Sequence, residues 1–403
     1  MKAVQVENKV EATRAVDAQP TTLRIAIVTS IHPDFDSRLW KYARCLAQIG
    51  VEVHFVAPWK VTGEVDGVQF HPFTRVEKRS ERFRIPARIL RKLRPLLRRV
   101  NLIHFHDIDI LPYMSLLSFF KPVIYDIHEN YPEEMLVRQW IPRRLRKLAF
   151  HVVRTGQWVC ARKIGNVVLV APSQEKDLPM KKLRSMYVWN YASEQLADEA
   201  ADDYLARPDT VIFTGSQHPA NGSSLFLEIA SLVSQQRSGT RFLCFDRFAS
   251  AAFREEFMNK IRQLGLQDVV KVEPNCKPHE LIRYLNQSKV AISANLRIPQ
   301  QIDGIHTKLF EYLAVGIPIV VSDLPHQVDL VQKYECGVLA QPEDPQTFAS
   351  AIIRLLDNGP NAMRLGRNGQ MAFRSHLSWE SQMPGVVDFY HSVLRGGGHA
   401  KTV

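Results

Sequence analysis

The sequence predicts an α/β protein built from two Rossmann-like domains. Its 403 residues suffice for two domains of ordinary size. Apolar strand patterns alternate with helical patterns along the chain, which is typical of parallel sheets with right-handed crossovers. A polar stretch at 191–208 interrupts this alternation and separates two such series. We therefore predict a first domain over residues 23–190, a linker over 191–208 and a second domain over 209–376.

Nine apolar segments are predicted as strands, four in the first half and five in the second. They read, in chain order, LRIAIVTS, VEVHFVAP, NLIHFHD, PVIYDIHE, TVIFTGS, TRFLCFD, VVKVEP, VAISAN and IPIVVS. A helix is expected from about Arg38 to Ile49, with Asp36 and Ser37 as its N-cap. Because ligands of parallel sheets bind at the carboxyl ends of the strands, the polar residues that end each strand are expected to carry function.

The composition describes a soluble globular protein, with 45% hydrophobic and 23% charged residues. No apolar run approaches the length of a membrane span. Residues 1–22 lack the apolar core of a signal peptide and are predicted to be a disordered leader. The five cysteines are widely spaced without a C-x-x-C pair, which indicates free thiols of a cytoplasmic protein.

Positive charge is concentrated in the first half. Residues 1–200 hold 32 Lys and Arg against 21 Asp and Glu, which accounts for the whole net charge of +11. Between Arg75 and Arg99 lie eleven basic residues, and apolar residues repeat there at helical spacing. Such an amphipathic basic segment suits anionic lipid headgroups, although a solvated helix face explains it equally well. The cations predicted to face a membrane are Arg88, Arg91, Lys92 and Arg94.

The most informative segment is Gln301–Asp323, QIDGIHTKLFEYLAVGIPIVVSD, which holds two carboxylates, Asp303 and Glu311, separated by seven residues. The pattern predicts a loop, a helix that begins at about Thr307, and a left-handed stop near Gly316. A buried strand of the parallel-sheet type follows.

Glu311 is predicted to share a helix face with Lys308, three residues earlier. A helix N-terminus carries partial positive charge and free N–H groups, so it suits a phosphate. A carboxylate one turn inside the helix can reach the hydroxyls of a ribose. The segment therefore indicates a site for a nucleotide diphosphate.

These residues resemble the acid-x7-acid signature of retaining glycosyltransferases of the GT-B fold, in particular family 4. The common form there is Glu-x7-Glu, whereas this chain has Asp303 at the first acid, which shortens the reach by one methylene. The resemblance runs from about Arg24 to Leu394 and is more specific in the second half. It implies two Rossmann-like domains that face each other across a cleft. It also implies a C-terminal helix over 377–394 that crosses back to the first domain, followed by a tail over 395–403.

The resemblance implies that the second domain binds the donor. Asp303 would then bind hydroxyls of the donor sugar, Glu311 the ribose and Lys308 the diphosphate. The Arg and the Lys five residues later that bind the diphosphate in the family are missing here, so other groups are expected to replace them. Lys308 is the best placed, Arg247 and Arg297 are further cations, and Gly215 and Ser216 offer backbone N–H groups. Glu273 and Pro274 match the positions that contact the nucleotide base.

The first domain is expected to supply the second catalytic residue. His128, after the strand PVIYDIHE, matches a family histidine that faces the donor sugar, and a neutral imidazole can hydrogen-bond a hydroxyl in either direction. Arg38 is expected near donor and acceptor, and His106 and Asp107 are expected to line the cleft. Asp107 and Asp109 form a D-x-D pair that chelates a divalent ion in the other glycosyltransferase fold. Because the chain has two Rossmann-like domains, we expect no metal site at this pair. Asp109 is predicted instead to cap the helix that follows it.

The predicted function is a metal-independent retaining hexosyltransferase without a cofactor. It would move a sugar from a nucleotide-diphosphate sugar to a saccharide acceptor, expected in a lipid-linked form, during cell-surface polysaccharide assembly. The protein is expected in the cytoplasm, peripherally bound to the anionic inner face of the cell membrane, and no nucleic acid is expected as a partner. The sequence leaves open the sugar, the base, the acceptor, the linkage and the oligomeric state.

Three alternatives stay open. A nucleotide-sugar epimerase of the same fold would act on the donor without an acceptor. A non-catalytic basic protein that binds membranes or nucleic acid would explain the charge but not the Asp303–Glu311 segment. A catalytically weak partner subunit would explain the missing Arg and Lys pair.

Overall fold

The computed structural model describes residues 22–396 apart from Gln139, Asp303 and Ile305. The predicted leader and tail fall almost wholly outside the described residues, and so does Asp303. The chain forms two compact units. The first unit comprises the residues up to Trp189 and those from Met383 onward, and the second comprises Asn190–Gln382.

The first unit contains an eight-stranded sheet. Its strands are β1 (Arg24–Val28), β2 (Glu52–Val56), β3 (Gly63–Val65), β4 (Val68–Phe70), β5 (Leu102–Phe105), β6 (Val123–Ile127), β7 (Asn166–Leu169) and β8 (Arg184–Tyr187). The strand order is β3-β4-β2-β1-β5-β6-β7-β8. All neighbours are parallel except β3 and β4, which form an antiparallel hairpin at one edge. The ends of β1, β5 and β6 are therefore adjacent at the centre of the sheet.

Six α-helices belong to the described part of the first unit. They are α1 (Ser37–Gln48), α2 (Ile85–Leu96), α3 (Leu111–Leu117), α4 (Tyr131–Val137), α5 (Arg146–Ile164) and, at the C-terminal end, α15 (Met383–Leu394). Asp36 caps α1, because its side chain accepts hydrogen bonds from the backbone N–H groups of Arg38 and Leu39. This confirms the predicted cap.

The second unit contains a six-stranded sheet in which all paired strands are parallel. Its strands are β9 (Thr210–Ile212), β10 (Arg241–Phe245), β11 (Val270–Glu273), β12 (Val290–Ser293), β13 (Ile319–Ser322) and β14 (Gly337–Ala340), in the order β11-β10-β9-β12-β13-β14. The helices are α6 (Gln195–Asp198), α7 (Ser223–Gln236), α8 (Ala251–Gln263), α9 (Pro278–Leu285), α10 (Pro299–Ile302), α11 (Thr307–Ala314), α12 (Pro325–Tyr334), α13 (Pro345–Asp357) and α14 (Gly359–Ala372).

The nine predicted strands are all present, and the predicted α/β class with two parallel sheets is confirmed. Sequence analysis missed five strands, namely β3, β4, β7, β8 and β14. Each has only three or four residues, and β8 is half-buried along its whole length, so its apolar pattern is weak. In the informative segment, α11 begins at Thr307 and Gly316 has φ +67°, as predicted.

The amphipathic pattern of α2 is explained by the core of the first unit. Ile85, Ile89, Leu93 and Leu96 are at most 2% exposed and belong to its hydrophobic cluster. Arg91 and Arg94 are exposed, whereas Arg88 donates a hydrogen bond to the backbone oxygen of Thr74 and, like Lys92, is half-buried. The apolar side of α2 therefore packs inside the protein, and the helix offers the solvent mainly cations, among them Arg91 and Arg94 of the four predicted to face a membrane.

Candidate functional site

In the second unit, the end of β9 is fastened to α11. Tyr312 is fully buried, and its hydroxyl accepts hydrogen bonds from the backbone N–H of Thr214 at 2.8 Å and from Thr214 Oγ1 at 2.9 Å. The next residue, Gly215, has φ +90°, in the left-handed region that favours glycine. The turn after β9 is thus held beside the first turns of α11, which brings the predicted loop and the predicted helix together.

Lys308 lies in this junction. Its Nζ is 4.3 Å from the centroid of the Phe213 ring, and its Cδ is 4.0 Å from the position that a Cβ of Gly215 would take. Withdrawal from water lowers the pKa of Lys308 to about 7, and the attraction of Glu311 only partly opposes this shift. A cation whose charge is so weakly compensated gains free energy from an added anion, as a diphosphate would supply.

Glu311 lies close to the same turn. Its Oε2 lies 3.5 Å from Thr214 Oγ1. The side chain is half-buried, so it remains accessible to a polar ligand. The structure thus brings together Lys308, Glu311 and the Gly215–Ser216 turn, four of the residues predicted to bind the donor.

A chain of amide hydrogen bonds holds α10, which precedes Asp303, against the same turn. Gln301 Nε2 donates to Asn221 Oδ1 at 3.1 Å, and Asn295 Nδ2 donates to Gln301 Oε1 at 2.8 Å. Asn221 Nδ2 in turn donates to the backbone oxygen of Ser216 at 2.9 Å. These contacts anchor the described residues that lead to Asp303, although Asp303 itself lies outside them.

The other predicted donor residues are distributed along the strand ends. Arg297, after β12, donates to the backbone oxygen of Asp323 at 2.6 Å and lines a cavity of about 400 Å³ at the ends of β13 and β14. Arg247 follows β10, next to β9, and its backbone oxygen accepts from Gln217 N. Glu273 ends β11, where it pairs with Lys271, and Pro274 after it is exposed. Arg247 follows β10 and Arg297 follows β12, and both strands neighbour β9, but the guanidinium of Arg297 is engaged by Asp323 after β13.

Gln217 is a residue whose importance the sequence did not reveal. It is fully buried directly after the Gly215–Ser216 turn, and neither side-chain amide atom is hydrogen-bonded to a described residue. Buried amides are normally hydrogen-bonded. The amide of Gln217 is therefore unusual at the end of β9, but at 0% exposure it offers no atom to a ligand, and no pattern in the sequence marks it.

In the first unit, Asp107 organises the end of β5. Its Oδ2 accepts from Thr29 Oγ1 at 2.7 Å and from Ser30 N at 2.6 Å, both from the end of β1. Its Oδ1 is 3.3 Å from Nε2 of His32, whose Nδ1 is 3.3 Å from Asp36 Oδ2. Burial alone would lower the pKa of His32, but the two carboxylates outweigh it and raise the pKa to about 10. His32, which sequence analysis missed, is therefore an imidazolium at neutral pH.

Asp126, at the end of β6, is the centre of a second buried network. Arg38 Nη2 donates to both of its carboxylate oxygens at 3.1 Å, and His104 Nε2 lies 3.4 Å from Oδ2. His104 Nδ1 is 2.5 Å from the hydroxyl of Tyr390 on α15. Burial would raise the pKa of Asp126, but Arg38 and the two neighbouring histidines hold it far below its usual range. The carboxylate is therefore a fixed anion that joins β6, α1 and, through His104, α15.

These contacts correct several predictions for the first unit. Arg38, His106 and Asp107 are 7%, 0% and 2% exposed, so within this unit they lie in the interior and do not present themselves to an acceptor. Arg38 is engaged by Asp126 and by the backbone oxygen of Val188 at 3.1 Å. Asp109 does not cap α3; its Oδ1 accepts from Ser30 Oγ at 2.6 Å. All four are better explained as residues that position their neighbours.

His128 lies on the outer side of these networks. Its ring centroid is 4.9 Å from that of His32 and 6.0 Å from that of His106. Burial, aided by the charges of His32 and Arg38, lowers its pKa, although Asp126 opposes the shift. His128 is therefore a neutral imidazole that remains half-buried, which is the protonation state expected for a contact with sugar hydroxyls.

One cluster in the described part of the chain has the spacing of metal ligands. Ligand atoms of His104, His106 and Asp126 lie within 4.8 Å of one another, and all three side chains are fully buried. Arg38 already occupies both oxygens of Asp126, and its guanidinium would repel a dication there. We therefore interpret this cluster as an ionic network. Asp107 and Asp109 bind Thr29, Ser30 and His32, as described above.

Comparison with known proteins agrees with a nucleotide-sugar site in the second unit. Residues 201–371 match the model of the family described as "Glycosyl transferases group 1". A D-inositol 3-phosphate glycosyltransferase of Segniliparus rotundus is 27% identical over 192 residues, 47% of this chain and 41% of that protein. The amylovoran biosynthesis glycosyltransferase AmsK of Erwinia amylovora is 23% identical over 184 residues, 44% of each chain. The chain thus spans less than half the length of these curated relatives.

Likeness to solved structures extends over the whole fold. The Anabaena protein Alr3699/HepE, solved in complex with UDP and glucose, superposes with a TM-score of 0.69 at 13% identity and covers 92% of this chain and 100% of that one. At this identity the likeness concerns the fold alone, which is GT-B as predicted.

Proposed function

From the match of residues 201–371 to the family described as "Glycosyl transferases group 1" and from the GT-B fold of the chain, we propose that the protein is a retaining hexosyltransferase that uses a nucleotide-diphosphate sugar. The observation that carries the proposal is the group of Lys308, Glu311 and the Gly215–Ser216 turn at the end of β9. It combines an under-compensated cation, the backbone N–H groups of a glycine turn and an accessible carboxylate. That combination suits a nucleoside diphosphate.

The roles proposed for the donor-binding residues follow from their chemistry. Lys308 binds the diphosphate and stabilises the charge that develops on it as the glycosidic bond breaks. Glu311 accepts hydrogen bonds from the ribose. Asp303 and His128 keep their predicted roles toward the donor sugar. Retention without a side-chain nucleophile would require the acceptor to attack from the face that the diphosphate leaves.

The acceptor proposed is a saccharide, in the first instance one carried on a polyprenyl diphosphate or another lipid. Two features support it, the cationic first half of the chain and the similarity to a relative named for amylovoran biosynthesis. We further propose that the protein acts in the cytoplasm at the anionic inner face of the membrane. Among the described residues, no helix is both long enough and apolar enough to cross a bilayer.

We also propose that catalysis requires neither a metal nor a cofactor. In the described part of the chain the cluster with metal-ligand spacing is occupied by Arg38, and Lys308 supplies a positive charge where a divalent ion would otherwise neutralise the diphosphate.

Thermal unfolding in the presence of nucleoside diphosphates and their sugars tests the proposal. A ligand that binds the folded state raises the unfolding temperature by mass action. UDP and UDP-glucose are the first to test, because the HepE protein was solved with UDP and glucose. We expect stabilisation by one family of nucleotide sugars, and transfer to a saccharide acceptor with retention at the anomeric carbon. Stabilisation by none of them would contradict the proposal, and conversion of the donor without an acceptor would favour an epimerase.

A further inference from the structure

Exposed hydrophobic side chains are concentrated in one short part of the first unit. Of the twenty large hydrophobic side chains that are exposed among the described residues, twelve lie between Tyr113 and Val159. Scattered apolar residues on a surface are normal, whereas a contiguous patch marks an interaction site. This segment comprises α3, α4 and α5 and the turns between them.

Most of α5 is uncovered. Only Gln157, Ala161 and Ile164 are buried among its 19 residues, all in its C-terminal half. Leu148, Val152 and Val159, which are 60%, 62% and 41% exposed, follow one another at spacings of four and seven and so form one stripe. An amphipathic helix normally buries such a stripe, so α5 presents an apolar side that the described residues 22–396 leave uncovered.

Exposed aromatic side chains in the turns after α3 and α4 lie near the two ends of this stripe. At the N-terminal end, Arg146 donates to the backbone oxygens of Leu136 and Ile141, and the neighbouring Trp140 is 55% exposed. At the other end, Lys163 Nζ lies 5.9 Å from the centroid of the Phe119 ring. Phe119 and the adjacent Phe120 are 69% and 83% exposed. We call this surface the α3–α5 face; it extends along the whole of α5, about 28 Å.

The same face is strongly cationic. The chain from Arg143 to Ile164 holds seven Lys and Arg and no Asp or Glu. Arg154 is directed to the buried Asp177, with which it pairs at 2.8 Å. The other exposed cations flank the apolar stripe, and they are Arg143, Arg144, Lys147, Arg162 and Lys163. The acids on adjacent elements are already engaged, Glu133 by Lys176, Glu134 by Arg138 and Glu175 by Tyr187.

A cationic cavity adjoins the C-terminal end of α5. It has a volume of about 670 Å³, and Glu175, bonded to Tyr187, is its one acidic lining residue. The charged and aromatic side chains that line it include Trp158, Arg162, Lys176, Lys181 and Lys182. A cavity of this kind next to an apolar stripe suits a phosphate that is attached to an acyl chain.

We propose that the α3–α5 face docks on an anionic lipid bilayer, with the apolar stripe of α5 at the level of the headgroups and the cations against lipid phosphates. This inference rests on the membrane association in the proposed function and moves its site from α2 to α5. Exposed Trp and Phe beside Lys and Arg are typical of interfacial anchors. In a symmetric dimer two α3–α5 faces would meet, and their cations would repel each other because the chain has no acid between Arg143 and Ile164. This repulsion disfavours a second copy of the chain as the occupant.

Binding of the full chain to vesicles tests the proposal. The vesicles are phosphatidylcholine alone or with about 30% phosphatidylglycerol. We expect binding to the anionic vesicles, release at high salt, and little binding to the neutral ones. The double variant Leu148→Gln/Val152→Gln should weaken binding at least about tenfold, because interfacial affinity scales with the apolar area buried. Both positions are exposed, so the variant should fold.

A matched pair of charge variants separates α5 from α2. Arg143→Gln/Arg144→Gln/Lys147→Gln removes three exposed cations from the α3–α5 face, and Arg91→Gln/Arg94→Gln/Arg98→Gln removes three exposed cations from or next to α2. We expect the first to weaken vesicle binding at least about tenfold and the second to change it less than about threefold. Equal losses, or a larger loss in the second, would overturn the assignment to α5.

Two further measurements keep the inference separate from the enzymatic proposal. Donor binding and transfer to a soluble acceptor should be unchanged in the α5 variants. If the wild-type protein transfers sugar but ignores anionic vesicles, the docking inference falls and the enzymatic function stands. If the Leu148→Gln/Val152→Gln variant dissociates an oligomer and leaves vesicle binding intact, the face is an interface between copies and the inference is overturned.

Discussion

The ammonium of Lys308, in the first turn of α11, lies 4.3 Å from the centroid of the ring of Phe213, the residue directly after β9. Burial there lowers the pKa of Lys308 to about 7, in spite of the neighbouring Glu311. The ring contact and the carboxylate therefore compensate only part of the cost of burial. A bound diphosphate would supply the rest, which makes Lys308 the residue through which nucleotide binding can be tested most directly.

Replacement of Lys308 by Ala should weaken the binding of a nucleoside diphosphate far more than that of the nucleoside. A charge-assisted hydrogen bond contributes about 1.5–3 kcal/mol, and the nucleoside lacks the phosphates that would accept it. Isothermal titration with UDP and with uridine measures both affinities. An equal loss for the two ligands would mean that Lys308 only packs against Phe213, and Arg247→Ala would then be the next variant to measure.

Binding of the diphosphate should take up a proton above neutral pH. Free Lys308 is about half protonated at pH 7 and mostly neutral at pH 8.5, whereas a bound anion would return its pKa toward the ordinary value of about 10.4. Affinity should therefore fall as the pH rises from about 7 to 10. Calorimetry in two buffers of different ionisation enthalpy measures the uptake. Lys308→Met should abolish it, and an undiminished uptake in that variant would assign the proton to another group.

Glu311→Ala should weaken donor binding by about 2–3 kcal/mol, because a charged acceptor of the ribose hydroxyls is lost. The fold should persist, since Glu311 is half-buried and Thr214 keeps its bonds to Tyr312. Glu256→Ala, on the exposed side of α8, is the control. Nucleotide affinity and circular dichroism are measured for both variants, and a folded Glu311→Ala protein with wild-type affinity would refute the assignment of the ribose.

The buried pair of Arg38 and Asp126 should be essential to the stability of the first unit. Arg38→Gln leaves a buried carboxylate without the guanidinium that donates to both of its oxygens, which typically costs about 3–5 kcal/mol. Arg91→Gln, at an exposed position, should change the unfolding free energy by less than about 0.5 kcal/mol. Denaturant unfolding gives both values. A loss below about 1 kcal/mol for Arg38→Gln would mean that His104 and His106 suffice to compensate Asp126.

Transfer activity should survive removal of divalent metals. The prediction rests on Lys308 as the charge opposite the diphosphate and on the engagement of Asp107 and Asp109 by neighbouring residues. The protein is dialysed against EDTA and assayed with and without Mg²⁺ or Mn²⁺. A complete loss that the metal restores would contradict metal independence and would direct attention to Asp107, Asp109 and the cluster of His104, His106 and Asp126.

Local patterns in the sequence determined the fold class and the position of the donor motif. The nine apolar segments, the cap at Asp36, the start of α11 at Thr307 and the left-handed Gly316 all depend on a few consecutive residues. Such features follow from backbone sterics, side-chain periodicity and hydrogen bonds between near neighbours, so a sequence is sufficient to reveal them. The strands β8 and β14 escaped because most of their residues are only half-buried, so their apolar patterns are weak.

The tertiary structure decided which polar and amphipathic residues are accessible. Arg38, His106 and Asp107 were predicted from the sequence to line a binding site, yet all three lie in the interior. Asp126, far away in the chain, holds Arg38 there, and Thr29 holds Asp107. The same holds for the two basic amphipathic helices. The apolar side of α2 is covered by the core, whereas that of α5 is not. Burial is set by contacts between residues far apart in the chain, and no local pattern contains that information.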